Sequence, residues 1–119
     1  MANTWITSPW VAQHRDRISF GLQAFARRTS KAPHQDLLAA GRLAEAVGLD
    51  AFFTGDHPAR SLDSWLHLAA LASQTERIYL GSIVNCIYYR QPLALARLAA
   101  DLDNLSGGRL LLGYSRSSL

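Results

Sequence analysis

Four short apolar runs recur along the 119 residues at intervals of about 30, and a helical pattern fills each gap. The runs are Arg17-Ile18-Ser19-Phe20-Gly21-Leu22, Ala51-Phe52-Phe53-Thr54, Ile78 to Val84, and Arg109 to Gly113. This βαβαβαβ order restricts the chain to an α/β fold. Strands joined by helical crossovers pair in parallel, and the crossovers take one hand. The expectation is four parallel strands in the order 1-2-3-4, curved as a barrel segment with the helices outside.

Local signals set the boundaries. A polar, proline-ended loop follows the first run. His34 to Val47 carries Leu37, Ala40, Ala44 and Val47 on one helical face, with Gly48 placed as a left-handed cap. Asp63 is placed to cap a second helix bearing Trp65, Leu68, Ala69 and Ala72. Pro92 suits the first turn of a third, where its missing N–H costs nothing. Leu95, Leu98, Ala99, Leu102 and Leu105 form that helix's expected buried stripe, and Ser106-Gly107-Gly108 ends it. Leu110-Leu111-Leu112 is apolar on both faces, as a covered parallel strand requires.

Charge and cysteine content exclude several functions. The net charge is +3, but Arg15, Arg42, Arg60, Arg77 and Arg97 are scattered singly, which reads as solvated surface. Only Arg27-Arg28 with Lys31 clusters, too little for a nucleic-acid face. Cys86 is the sole cysteine, so neither an internal disulfide nor a cysteine zinc site can form. No two histidines have metal-pair spacing, and no metal is expected. His67 reads as a surface residue. No run has membrane-span length, and a cytoplasmic location is expected. Residues 1–16 read as a polar extension and 17–119 as the folded domain.

Chemistry in parallel α/β folds gathers where strands run out into loops at their carboxyl ends. Asp56-His57 sits there, directly after the second run. His57 is the candidate acid, base or hydrogen-bond donor, since imidazole titrates near neutrality. The competing reading is a turn in which Asp56 bonds nearby backbone.

Five segments, in order and spacing, resemble the amino-terminal part of the bacterial luciferase-like flavin monooxygenase and F420-dependent oxidoreductase family. They are Leu43-Ala44-Glu45-Ala46-Val47-Gly48-Leu49-Asp50, Gly55-Asp56-His57, Arg77-Ile78-Tyr79-Leu80-Gly81-Ser82, Tyr89-Arg90-Gln91-Pro92, and Leu102 to Gly113. The resemblance implies the amino-terminal half of a TIM (β/α)8 barrel, with reduced FMN or F420 as cofactor and a small-molecule substrate. It places His57 at the reacting face as the catalytic residue, with Asp56 beside the cofactor. Ser82, Ile83 and Val84 are implied behind the ring, on a bulged strand with a nonprolyl cis peptide at Ile83-Val84, or at Ser82-Ile83 if the register differs by one. Ser115 and Arg116 are implied near the cofactor phosphate, where the forked donors of arginine suit an anion. A frayed chain end is the plainer reading of that segment. The Asp-His pair leans toward the deazaflavin branch, because the FMN luciferases tend to carry Glu-His-His there.

A complete barrel needs about 250 residues, so the expectation is a partial chain. Its open strand edges and uncovered apolar face point to a homodimer. The alternative is a noncatalytic remnant or interaction protein keeping the half-barrel fold. A small phosphate-binding module is weakened by the absence of a Gly-x-Gly-x-x-Gly turn after the first strand.

Overall fold

The computed structural model describes residues 8–26, 29–57 and 59–116. The Arg27-Arg28 cluster, Trp5, Pro58 and the tail 117–119 lie outside the described residues. The elements in order are α1 (Pro9–His14), β1 (Gly21–Gln23), α2 (Pro33–Ala46), β2 (Ala51–Thr54), α3 (Ser64–Ala72), β3 (Tyr79–Cys86), α4 (Pro92–Ser106) and β4 (Leu110–Ser115). The strands form one parallel sheet in the order β1-β2-β3-β4, as the βα period requires.

Register assigns the two faces. Phe52, Leu80 and Leu110 are partners across β2, β3 and β4, so their side chains share a side. They pack with Leu37 and Ala44 of α2, Leu68 and Leu71 of α3, and Leu95, Ala99 and Leu102 of α4. The three long helices therefore lie on one face. Helix α2 comes close to α3 at Gly41, where an added Cβ would lie 2.6 Å from the methyl groups of Leu71. On the opposite, concave face the Phe53 ring spreads across both neighbouring strands. It can do so because its β3 partner is Gly81 and its diagonal neighbour on β1 is Gly21, whose ideal Cβ atoms would meet the ring at 3.0 and 3.1 Å.

Polar staples close the amino-terminal edge. The Glu45 carboxylate accepts the backbone N–H groups of Glu76, Arg77 and Ile78 at 2.7–3.0 Å. Buried Arg109 donates to Thr75 Oγ1 and to the carbonyls of Ala72, Thr75, Ile78 and Ser106, so its charge is fully hydrogen-bonded. Burial still pulls its pKa down, against the field of Glu45 and Glu76. Asp50 is bound by Arg17 and by the Phe20 N–H.

Several boundaries differ from the sequence reading, for physical reasons. Strand β1 is only three residues long, because Arg17 to Phe20 are tied to Asp50 rather than laddered, and Ile18 and Phe20 stay exposed. Strand β3 continues through Asn85 and Cys86, beyond the apolar run that ends at Val84, because after a register shift they pair with Tyr114 and Ser115. Leu98, Leu105 and Val47 are exposed rather than buried. Leu98 and Leu105 rim a shallow groove between α3 and α4 with Trp65 and Ala69. The polar extension also contains a helix that periodicity missed. In α1, Trp10 stacks on His14 with centroids 3.8 Å apart and meets Tyr79, the first residue of β3, edge-on.

The expected caps are present. Gly48 has φ +83°, and Asp63 accepts the Trp65 N–H at 2.9 Å. Arg15, Arg42, Arg60, Arg77 and Arg97 are all exposed. Among the described residues, no helix is long and apolar enough to cross a membrane.

Candidate active site

Strand β2 ends at Thr54, and the chain turns sharply through Gly55-Asp56-His57 before α3. Gly55 is required there, because any Cβ would collide with the Phe25 ring. Strand β3 ends at Cys86, and its loop carries Tyr89 and Arg90 into α4. Between the two loops lies an open cleft of about 390 Å³, lined by Asp56, His57, Asp63, Tyr89 and Arg90 with Ser61 and Leu62.

Arg90 organises this cleft. Its guanidinium reaches Asp56 Oδ2 at 2.7 Å and Oδ1 at 3.3 Å, and Asp63 Oδ2 at 2.8 Å. It also lies 6.0 Å from the Trp65 ring centroid. Burial lowers the Arg90 pKa, but Asp56 and then Asp63 outweigh it, and the net direction is up. The competing turn reading had Asp56 bonding local backbone. Its carboxylate, 6% exposed, is instead consumed by Arg90 and by the Ser64 hydroxyl at 3.2 Å. Sequence reasoning quoted Arg90 within a motif but assigned it no role. The usable signal was a lone arginine at the end of one loop with two acids, Asp56 and Asp63, in the neighbouring one.

His57 is half-buried on the cleft wall. The Ala59 N–H donates to its Nδ1 at 3.2 Å, and its own N–H donates to Ser61 Oγ at 3.0 Å. Ser61, also missed, in turn faces the Gly55 and His57 carbonyls. The loop is thus internally bonded around the imidazole.

The remaining predicted residues lie apart from that cleft. Ile83, 45% exposed, is on the concave face by alternation from Leu80. The cis peptide is at Ile83-Val84, beside the register shift between Ser82 and Asn85, where the resemblance had implied it. The Ile83 carbonyl accepts Gln23 Nε2 at 2.9 Å, so Gln23 of β1 belongs to this face, which its sequence context did not signal. Ser82 is placed differently from the ring-backing expectation. It is in register with Thr54, two residues beyond Phe52, so its side chain enters the helix-packed layer. There its buried Oγ has no partner among the described residues, and neither has Asn85 Oδ1. Ser115 ends β4 and Arg116 follows it. Arg116 Nε donates to Tyr88 Oη at 3.2 Å, which brings this segment to the β3–α4 loop.

His67 is 3% exposed rather than a surface residue. Its Nδ1 donates to the Asp63 carbonyl at 2.7 Å, and its Nε2 receives His34 Nδ1 at 2.9 Å. Burial, chiefly, holds its pKa below the ordinary value. Among the described residues no group of three or more metal-ligating side chains gathers.

Comparison with known proteins identifies the family and the fold. Residues 18–118 match the model of the luciferase-like monooxygenase family. A putative coenzyme F420-dependent oxidoreductase of Mycobacterium tuberculosis is 42% identical over 84 residues, which is 71% of this chain and 23% of that protein. The oxygenase component of a flavin-dependent trigonelline monooxygenase from Acinetobacter baylyi is 28% identical, over 88% of this chain and 29% of its own length. Among solved structures, the coenzyme F420-dependent tetrahydromethanopterin reductase of Methanopyrus kandleri superposes with a TM-score of 0.75. It is 27% identical, over 85% of this chain and 28% of that one. The chain spans about a quarter of the length of the curated relatives it matches. Its fold is the amino-terminal part of the TIM barrel that these luciferase-like enzymes share.

Proposed function

The chain belongs to the luciferase-like monooxygenase family, and from that premise we propose that it forms the amino-terminal part of an oxidoreductase using reduced FMN or F420. The observation behind this reading is a histidine held by its own loop on a polar cleft, at the carboxyl edge of a family barrel. The Asp56-His57 sequence and the 42% identity to a putative F420-dependent protein favour the deazaflavin.

The residues fit such a cofactor. A planar ring system needs an apolar backing and a few polar groups, and the concave face offers exposed Ile83 beside Val84, with the Gln23 amide held against the Ile83 carbonyl. Ile83 and Val84 would back the ring, and Ser115 and Arg116 would meet its phosphate side. Ser82 would contribute through its backbone, since its side chain faces the helices. Asp56 would act by holding Arg90 and hence the His57 loop. When bound, the cofactor supplies the redox chemistry, while the protein positions it and excludes water. His57 would face a small-molecule substrate from the cleft wall.

We place the protein in the reducing cytoplasm, where the free, buried Cys86 thiol is stable. A homodimer would cover the open edges of β1 and β4, where Leu22 and Leu112 are exposed. Sedimentation at micromolar concentration tests that state, and a concentration-independent monomer refutes it.

The functional test is His57→Ala. Turnover should fall by about 100-fold or more, while the denaturation midpoint moves little, because the ring is half-buried and, among the described residues, bonds only to the Ala59 N–H. Unchanged turnover removes the catalytic role.

A further inference from the structure

The start of α3 is tied to the cleft on one side and to α2 on the other. On the cleft side Asp63 caps the helix and holds Arg90. On the other side stands His67, a buried imidazole that the proposed chemistry does not use. We propose that His67 and His34 form a pH switch. The pair locks α3 to α2 while it carries no charge or one, and opens when both rings are charged, loosening the helix start that anchors Arg90.

The hydrogen-bond directions follow from the partners. The Asp63 carbonyl, 2.7 Å from His67 Nδ1, only accepts, so Nδ1 carries the proton. In the neutral ring Nε2 is then a bare lone pair, and His34 Nδ1, 2.9 Å away, must be the donor. The ring planes are 22° apart and the centroids 5.0 Å apart, so nitrogens this close meet edge to edge. His34 is exposed, and its remaining nitrogen, Nε2, is a lone pair.

A first proton therefore enters at His34 Nε2. No bond within the pair is lost, and the link between the rings becomes charge-assisted. A second proton can enter only at His67 Nε2. It sets two N–H groups head to head across 2.9 Å and leaves a cation on a residue 3% exposed. Burial, chiefly, and the His34 charge resist this step, against the Asp63 carbonyl and carboxylate. Other charged groups of the packed helices are engaged elsewhere. On α2, Asp36 takes the Ser30 hydroxyl, Arg42 bonds Gln74, and Glu45 holds the N–H groups of Glu76, Arg77 and Ile78. On α4, Arg97 pairs with Asp101 and Asp103 takes the Leu110 N–H. From β3, Tyr79 bonds Gln13 and Cys86 faces the Arg116 carbonyl. The two imidazoles thus settle the second proton between themselves, by parting. As His67 swings out, it also leaves the Asp63 carbonyl, and the first turn of α3 loses its tie to α2.

Side-chain NMR of the ¹⁵N-histidine protein, with the rings assigned from His34→Gln and His67→Gln, reads the proton positions. At pH 8 both rings should show Nδ1–H and a bare Nε2, with a ¹⁵N–¹⁵N coupling across the hydrogen bond. On acidification His34 should charge before His67. A neutral His67 protonated on Nε2, or charged first, overturns the proposal. Hydrogen exchange of the Trp65 N–H, capped by Asp63 Oδ1, then reports on the α3 start once corrected for the intrinsic pH dependence of exchange. Its protection should hold through the first proton and fall about tenfold with the second, roughly the worth of one hydrogen bond. Glutamine at position 34 can donate to a neutral His67 or turn its carbonyl oxygen to accept from a charged one. His34→Gln should therefore keep Trp65 protected through the His67 step. Protection that stays level in the parent, or that falls equally in His34→Gln, overturns the switch.

Discussion

Arg90 grips the Asp56 carboxylate through both terminal nitrogens, at 2.7 and 3.3 Å, and so ties the loop after β2 to the loop after β3. The pair is largely shielded, with side chains 18% and 6% exposed. Its third partner, Asp63, also caps α3, so one guanidinium fixes a helix start, a strand end and the approach to His57.

Removing that guanidinium leaves two acids facing each other beside the cleft. Arg90→Met should destabilise the fold by about 2–3 kcal/mol, below the full cost of breaking a buried pair because Arg90 keeps some solvent contact. The measurement is the denaturant midpoint at unchanged slope. Arg90→Lys should recover less than half, since one ammonium cannot span both carboxylates. Full recovery by lysine would show that charge alone matters.

Gly81 makes a prediction about the concave face. An added Cβ would run into the Leu111 carbonyl oxygen and lie 3.0 Å from the Phe53 ring. Gly81→Ala should therefore cost about 1–3 kcal/mol by overpacking against backbone. At Gly48, where nothing lies within 4 Å but φ is +83°, Gly48→Ala should cost about 1 kcal/mol through conformation alone. Thermal melts of the two variants, compared with the parent, separate these causes.

Two groups give the stability a pH dependence. Burial lowers the His67 pKa, against the Asp63 carbonyl bond and with the field of His34. The unfolded chain then takes up the proton first. Stability from this site is present above the ordinary value of 6.5 and falls as pH drops from there through the folded value. His67→Gln should flatten that limb. At Glu45, burial raises the pKa, but the N–H groups of Ile78, Arg77 and Glu76, with the Arg77 charge, bring it below 4.5. Its contribution is present above 4.5 and is lost as pH falls through the lowered value, so Glu45→Gln should flatten only the more acidic limb. Urea midpoints across pH 3–8 check both signs, and unchanged limbs would refute them.

The parallel order of the strands was legible because each βα unit carries its own periodicity and caps, as at Asp63, Gly48 and Pro92. His57 was legible because a strand end can be located from the apolar run before it. The clamp was less so, since Arg90 and Asp56 are 34 residues apart, and while the adjacency of β2 and β3 brings their loops side by side, periodicity says nothing of which loop side chains meet. His67 was misread as surface because its bonds go to Asp63 and His34, off the apolar stripe on which helical periodicity depends. Helix α1 escaped notice because six residues hold too little periodicity, and its attachment to the sheet comes from the stacking of Trp10 and His14 against Tyr79.

The central claim is that a flavin-type cofactor rests on the concave face, and fluorescence titration with F420 and with FMN tests it most directly. The parent protein should bind one of them saturably. Ile83→Asp places a charge on that exposed apolar surface, so it should abolish binding while the protein still unfolds cooperatively. No saturable binding of either cofactor by the parent, or equal binding by Ile83→Asp, would contradict the account.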